Sequence, residues 1–292
     1  MTTGHVHAAG YYTDEDDLRD TLTPLLSRTG PLVIAHESAE LIRSWLPEPG
    51  TATVLPWAEV YANPAKTIAT YQRLFDSLLT GPATRIRLVG ATPLAESTGR
   101  NFGWDRYEAA VNQLWRDYPL DSLCLYQAPT AWLKDVLDRT HPATPTSRNP
   151  HYDPTFSALP SHHDPLESDS PLHTLTDPTP AESRHTVQQT AHHRLPTATT
   201  EDLVFAVSEA TTNAHLHGTG PSTVRVWASP TRVVVRVSDT GPGPSDPFAG
   251  LTPALRDRGG LGLWLAHQLD IEVALITEPA GFTVRLRAGD FS

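Results

Sequence analysis

The chain has 292 residues, and its 22 lysine and arginine residues against 33 aspartate and glutamate residues give a formal charge of −11 at pH 7. This acidic balance argues against a general binder of nucleic acid or of anionic membranes, since such proteins usually carry a basic face. The single cysteine, Cys124, predicts neither a disulfide framework nor a cysteine-based zinc site, and without a signal-peptide pattern or an apolar run of ~18 residues we expect a cytoplasmic protein.

In the first half of the chain, apolar runs typical of strands alternate with helical patterns. This alternation predicts an α/β domain, with a parallel or mixed sheet and helices on its faces. Such sheets often bind nucleotides, but the half contains no G-x-x-x-x-G-K-[ST] phosphate loop. The predicted strands are 32–35, 53–55, 85–89 and 122–126, and the predicted helices are 15–26, 39–46, 64–79 and 104–117.

Prolines and histidines cluster between His141 and Pro180, where apolar residues are sparse. Frequent prolines remove backbone donors and break helices, so we expect a partly extended, poorly ordered linker. The predicted division is a first domain at 1–145, the linker at 146–179 and a second domain at 180–292. Short apolar pieces of the linker, such as Phe156 to Leu159, are expected to dock onto a neighbouring domain.

The second half has a different order of elements. Helices are predicted at about 181–193 and 201–217, and Thr199 with Asp202 resembles a capping box for the second of them. Helices grouped on one face of an antiparallel-rich sheet predict an α+β two-layer sandwich. The remaining predicted elements are strands 223–228 and 232–238, a helix 261–269 and a final hairpin of strands 272–277 and 282–287.

Two polar residues interrupt an apolar helical pattern in the stretch SEATTNAHLHG, residues 208–218. At ~100° per residue, Glu209 and Asn213 lie one turn apart on one shoulder of the buried stripe. An amide oxygen can bind a hard cation such as Mg²⁺, and a carboxylate can orient or deprotonate a nucleophile. The pair alone also fits a partly exposed helix, so it gains meaning only in combination with other motifs.

Two glycine-containing motifs follow. In VVVRVSDTGPG, Asp239 stands at the end of a predicted strand, where a carboxylate can accept the exocyclic amino group of adenine, and Gly241 and Gly243 allow a sharp turn close to a ligand. In RGGLGLWLAHQL, the glycines up to Gly262 lead into a helix, where backbone N–H groups and the helix dipole favour phosphate. Each motif alone also fits an ordinary turn.

The three motifs follow one another along the chain in the order E-x-x-x-N, D-x-G-x-G and G-x-G, and each lies on the element that its chemistry needs. With these motifs, residues 180–289 resemble the ATP-binding (Bergerat) fold of the GHKL superfamily. Within it, AVSEATTNAHLHG and GGLGLWLAHQL are most similar to the anti-sigma-factor serine kinases of the RsbW type. The site residues that the resemblance implies are Glu209 as catalytic base, Asn213 as Mg²⁺ ligand, Asp239, Gly241 and Gly243 at adenine, Gly260 and Gly262 at the phosphates, Thr283 in support of the adenine contact and His217 near a phosphate.

The resemblance implies a regulatory protein kinase that uses ATP and Mg²⁺ and phosphorylates a serine or threonine of a partner. The implied partner is a sigma factor or its antagonist, and homodimers are expected by analogy. The segment GGLGL replaces the more usual GRGL, so a phosphate-binding arginine is missing unless Arg256 or Arg258 substitutes. That difference leaves open a second function, an ATP-binding protein that sequesters its partner without transferring phosphate.

The first domain resembles the MEDS sensory domain through HVHAAGYY, WDRYEAAVN, SLCLYQ and the His141–Pro142 pair. That domain is similar to the RecA and KaiC α/β core without its phosphate loop, which implies a sensor of an unspecified small molecule. His5, His7 and Tyr11 are candidates to line its site.

Two further classes are less favoured by the sequence. A histidine kinase needs a phospho-accepting helix pair ahead of its ATP domain, where this chain has a proline-rich stretch. A metal hydrolase needs a third ligand beside the histidine pairs at 162–163, 192–193 and 215–217, and none stands at a convincing spacing.

Overall fold

The computed structural model describes residues 4–79, 85–94, 103–159, 163–253 and 261–290. The described residues form two compact units, the first ending at Ala158 and the second beginning at Leu159. Each unit is built on one five-stranded sheet. Among the described helices, none combines the length and the apolar character that a membrane crossing requires.

The first unit is an α/β structure whose five strands pair in parallel, in the order β1-β5-β4-β2-β3. Its elements in chain order are β1 (Val6–Tyr12), α1 (Glu15–Leu26), β2 (Leu32–Ala35), α2 (Ala39–Ser44), β3 (Ala52–Val54), α3 (Trp57–Val60), α4 (Pro64–Leu78), β4 (Ile86–Gly90), α5 (Trp104–Leu114), β5 (Leu120–Gln127) and α6 (Ala131–Thr140).

All four strands and four helices predicted for this half are present, with ends shifted by a few residues at most. Strand β1 and helices α3 and α6 were not predicted from the sequence. In β1 the run VHAAGYY places a histidine among small residues, and the low hydropathy of histidine suggests an exposed position. His7 is in fact buried, and its hydrogen bond to Asn112 offsets the free-energy cost of burying a polar ring.

Side chains alternate across the first sheet, so its two faces differ in chemistry. One face is apolar, and α1 packs Leu18 and Leu22 against it. The opposite face carries His7 and Cys124, and α5 brings Glu108 to it. A buried polar layer therefore lies between this sheet face and α5.

The second unit is an α+β sandwich whose sheet is antiparallel throughout, in the order β6-β7-β8-β10-β9. The helices pack on one face of it through a core of valine, alanine and leucine side chains. Its elements are β6 (His173–Thr176), α7 (Pro180–Ala191), α8 (Thr197–His217), β7 (Thr223–Ala228), β8 (Arg232–Asp239), α9 (Leu261–Ala266), β9 (Glu272–Glu278) and β10 (Gly281–Gly289).

The predicted capping box at Thr199 is wrong. Helix α8 begins at Thr197, directly after Pro196, so Thr199 lies inside its first turn. Asp202 instead accepts a hydrogen bond from the Asp270 backbone N–H at 3.2 Å. A real capping box opens α7, where the Thr179 and Glu182 side chains each accept the other's backbone N–H.

The segment predicted as a linker contributes to both units where the structure describes it. Phe156 docks as predicted, buried 4.3 Å beneath the Arg139 guanidinium. Further along, residues 173–176 form the edge strand β6, and Asp164 and Glu167 are buried against the outer face of the second sheet. The domain boundaries at 145 and 180 stay predictions.

Ion pairs hold residues 164–167 to the second sheet. Asp164 lies 3.3 Å from Arg232 and 3.2 Å from Arg287, and Glu167 lies 3.3 Å from Arg236 and 3.5 Å from Arg285. The carboxylates are almost fully buried, so each depends on its guanidinium partners for compensation.

Asp164→Ala should lower the free energy of unfolding of the second unit by about 1.5–3 kcal/mol, because it removes the buried carboxylate that lies against Arg232 and Arg287, while Arg287 keeps its ion pair with Glu272. Urea denaturation followed by hydrogen exchange of the backbone amides of β7 and β8 measures the change. Asp169→Ala is the matched control, since Asp169 is exposed in the same segment and meets Trp227 through its backbone oxygen. Equal effects of both substitutions would contradict the role given to Asp164.

Candidate functional site

The first motif of the candidate ATP site, Glu209 and Asn213, lies on the second half of helix α8. Buried Ala210, Thr211 and Ala214 fix the rotation of the helix, which leaves Glu209 and Asn213 half-buried one turn apart. This is the position on the shoulder of the buried stripe that the spacing predicts. Both side chains are therefore held at the rim of the core, where a ligand can reach them.

Glu209 comes directly against the glycine of the third motif. A Cβ atom on Gly262 would collide with the Glu209 carboxylate, so the carboxylate occupies the space that any other side chain at 262 would need. The first and third motifs, which stand more than fifty residues apart in the sequence, thus meet at one point. Gly260 lies outside the described residues.

Asp239 ends strand β8, and its carboxylate is held in one orientation. Oδ1 accepts the Gly241 backbone N–H at 2.7 Å and the Thr219 N–H at 3.4 Å. A Cβ atom on Gly241 or Gly218 would stand 2.8 Å from that oxygen, so both positions favour glycine. Within the described ranges both hydrogen bonds go to Oδ1, which leaves Oδ2 as the oxygen for a ligand.

Gly243 has two separate reasons to be glycine. Its φ of 73° lies in the left-handed region, and a Cβ atom there would collide with the Phe282 ring. Phe282 in turn faces Asp239 across the β8–β10 pair. Phe282 was not predicted as a site residue, because an aromatic residue in a strand is typical of an ordinary hydrophobic core.

The site can therefore offer a hard-cation ligand, a carboxylate beside it and an oriented acceptor at the end of a strand. These are the groups that a nucleotide with a divalent ion would need. Residues 176–288 match the family model of the histidine kinase-like ATPase domain. The match supports the GHKL resemblance for this part of the chain, and every residue predicted for the ATP site falls inside it. No curated protein matches the chain.

The ATPase-like domain departs from expectation at Thr283. Thr283 pairs with Ser238, and its hydroxyl lies 2.8 Å from Ser238 Oγ. Because residues 238 and 239 point to opposite faces of the sheet, Thr283 shares a face with Arg236 and lies away from Asp239. Phe282 takes the place beside Asp239 that the resemblance gives to the threonine.

His217 is the last residue of α8 and is exposed. It lies on the same helix face as Glu209 and Asn213, since four-residue steps separate the three. His217 therefore lies exposed at the edge of the candidate ATP site.

Thr283→Val should leave the affinity for ATP within about twofold of wild type while lowering stability by about 1 kcal/mol, through loss of the bond to Ser238. Calorimetric titration and urea denaturation separate the two effects. Asp239→Asn provides the contrast, because its side chain lies on the helix side of the same sheet. Loss of ATP binding in a folded Thr283→Val variant would restore the threonine to the adenine site.

Proposed function

We propose that the chain is a regulatory, ATP-dependent serine/threonine kinase of the anti-sigma-factor type. In this proposal its GHKL (Bergerat) module at 180–292 is controlled by a RecA/KaiC-like MEDS sensory domain at 1–145. The observation that carries the proposal is the approach of Glu209 to Gly262, within a segment that matches the histidine kinase-like ATPase family. This contact joins the candidate base to the candidate phosphate loop.

Each site residue has a role that its position supports. Asn213 holds Mg²⁺ through its amide oxygen, and Asp239 Oδ2 accepts the amino group of adenine. Glu209, one turn before Asn213, polarises the hydroxyl of a partner serine or threonine. Bound ATP with Mg²⁺ supplies the phosphoryl group, and the protein contributes positioning and charge neutralisation.

The partner is proposed to be a sigma factor or its antagonist, and two copies of the chain are proposed to pair. The net charge of −11 supports a protein partner over nucleic acid or an anionic membrane. Signals would reach the kinase from an unspecified small molecule at the sensory domain.

Calorimetric titration with ATP tests the nucleotide site, with and without Mg²⁺. Asp239→Asn should weaken binding about 10–100-fold, the value of a hydrogen bond to a charged group. Asn213→Ala should remove the effect of Mg²⁺, and Gln189→Ala, an exposed amide on α7, should change nothing. Absence of binding by the wild type would contradict the proposal and leave a protein-binding scaffold.

Glu209→Gln separates a kinase from a sequestering protein. The variant keeps the shape of the side chain, so ATP binding should persist while phosphoryl transfer falls about 10²–10⁴-fold. The measurement is transfer of labelled phosphate to serine or threonine of candidate antagonist proteins. Nucleotide binding by the wild type without any transfer would favour the alternative, which the missing arginine in GGLGL also supports.

A further inference from the structure

A second group of chemically active side chains is buried in the first unit, far in sequence from the proposed ATP site. It consists of His7 on β1, Glu108 on α5, Cys124 on β5 and His141 just after α6, all of them buried. One ligand atom from each lies within 4.8 Å of the others. We call these four residues the buried cluster.

Three of the six separations inside the buried cluster match those of ligands around one small ion. His7 Nε2 lies 3.3 Å and His141 Nε2 lies 3.5 Å from Glu108 Oε2, and Cys124 Sγ lies 3.5 Å from His7 Nε2. Tetrahedral bonds of about 2.0–2.3 Å place neighbouring ligand atoms about 3.3–3.6 Å apart. A charge-assisted hydrogen bond would bring the imidazole nitrogens to about 2.7–2.9 Å instead.

The outer nitrogens of the two imidazoles carry the ring protons. His141 Nδ1 lies 3.0 Å from the Leu137 carbonyl oxygen, which can only accept. His7 Nδ1 lies 3.0 Å from Asn112 Oδ1, and the Asn112 amide nitrogen is already donating to backbone carbonyls. Each Nε2 of a neutral ring therefore points a lone pair into the buried cluster.

Glu108 adds a third unshared lone pair. Its Oε1 accepts the Thr92 hydroxyl at 2.5 Å and the Tyr126 hydroxyl at 3.1 Å, so Oε2 is the oxygen that faces the rings. In the described part of the chain, Glu108 Oε2 and His141 Nε2 are both buried without a hydrogen-bond partner. Buried polar atoms are nearly always paired, and the Cys124 thiol can donate its proton to His7 Nε2. The lone pairs of Glu108 Oε2 and His141 Nε2 still converge without a donor of their own, which is an arrangement that suits a cation.

We propose that His7 Nε2, Glu108 Oε2, Cys124 Sγ and His141 Nε2 bind one divalent transition-metal ion, with Zn²⁺ the preferred occupant. Two imidazoles, a thiolate and a carboxylate form a tetrahedral set of the kind that suits Zn²⁺. The thiolate and the carboxylate together balance the two positive charges, so the occupied site carries no net charge into the core.

Four protein ligands close the coordination sphere, which is typical of a structural site. The ion joins two strands, one helix and the chain segment after α6, so its binding free energy adds to the folding of the first unit. Leu137 and Asn112 act as positioning groups, because their oxygens fix the orientation of the two rings.

Cobalt substitution tests the proposal on the full-length chain. Cys124 is the only cysteine of the sequence, so a thiolate-to-Co²⁺ charge-transfer band can arise from no other residue. The expected result is one equivalent of Co²⁺ with this band and the visible spectrum of a tetrahedral ion, both erased by one equivalent of Zn²⁺. Folded wild-type protein without the band, loaded under reducing conditions after chelator treatment, would overturn the proposal.

Variants locate the ion. Cys124→Ser should remove the charge-transfer band, and His141→Gln should weaken Zn²⁺ binding at least 100-fold. His36→Gln is the matched control, since His36 is buried in the same unit with both ring nitrogens hydrogen-bonded outside the buried cluster. Unchanged stoichiometric Zn²⁺ binding in folded Cys124→Ser and His141→Gln variants would place the ion elsewhere and overturn the proposal.

A stability measurement guards against variants that fail to fold. Zn²⁺ should raise the thermal unfolding midpoint of the wild type and of His36→Gln, and a chelator should reverse the rise. The exposed pair His192 and His193 is the obvious adventitious site, so His192→Ala should leave the rise intact. Loss of the rise in His192→Ala alone would overturn the proposal.

Discussion

The alternation of side chains along a strand is the constraint on which both units depend. In β8, Val233, Val235 and Val237 face the helices, so Asp239 at the end of the strand emerges on the helix side. Helix α8 lies on that side and supplies Glu209 and Asn213. The proposed nucleotide site therefore follows from one choice of register, and a shift of one residue would move its carboxylate to the opposite face.

The sequence was sufficient for most of the long regular elements and for the order of the motifs, whereas β1, α3, α6 and β6 were not predicted. Long apolar periodic runs specify helices and strands through burial, and the E-x-x-x-N spacing places two side chains on one helix face whatever the tertiary context. The choice between Phe282 and Thr283 was beyond it, because it depends on the β8–β10 register. The start of α8 was also misplaced, since Pro196 provides a boundary that the Thr199 pattern concealed.

The buried cluster could not be read from spacing. Zinc motifs are recognisable when their ligands lie close together in the sequence, whereas His7 and His141 lie near opposite ends of the sequence of the first unit. Only the pairing of β1 with β5 brings His7 next to Cys124, and only the packing of α5 on that face adds Glu108. The histidine pairs that were visible in the sequence, such as His192 and His193, are exposed instead.

The two buried polar faces of the molecule show why one of them calls for an ion. On the second sheet, Asp164 and Glu167 each meet two guanidinium groups, so every buried negative charge has a positive partner from the chain itself. On the first sheet, Glu108 meets imidazole nitrogens whose protons point outward, to Asn112 and Leu137. Burial of charge is tolerated when it is compensated. In our proposal a divalent ion supplies on the first face the positive charge that arginine supplies in the second unit.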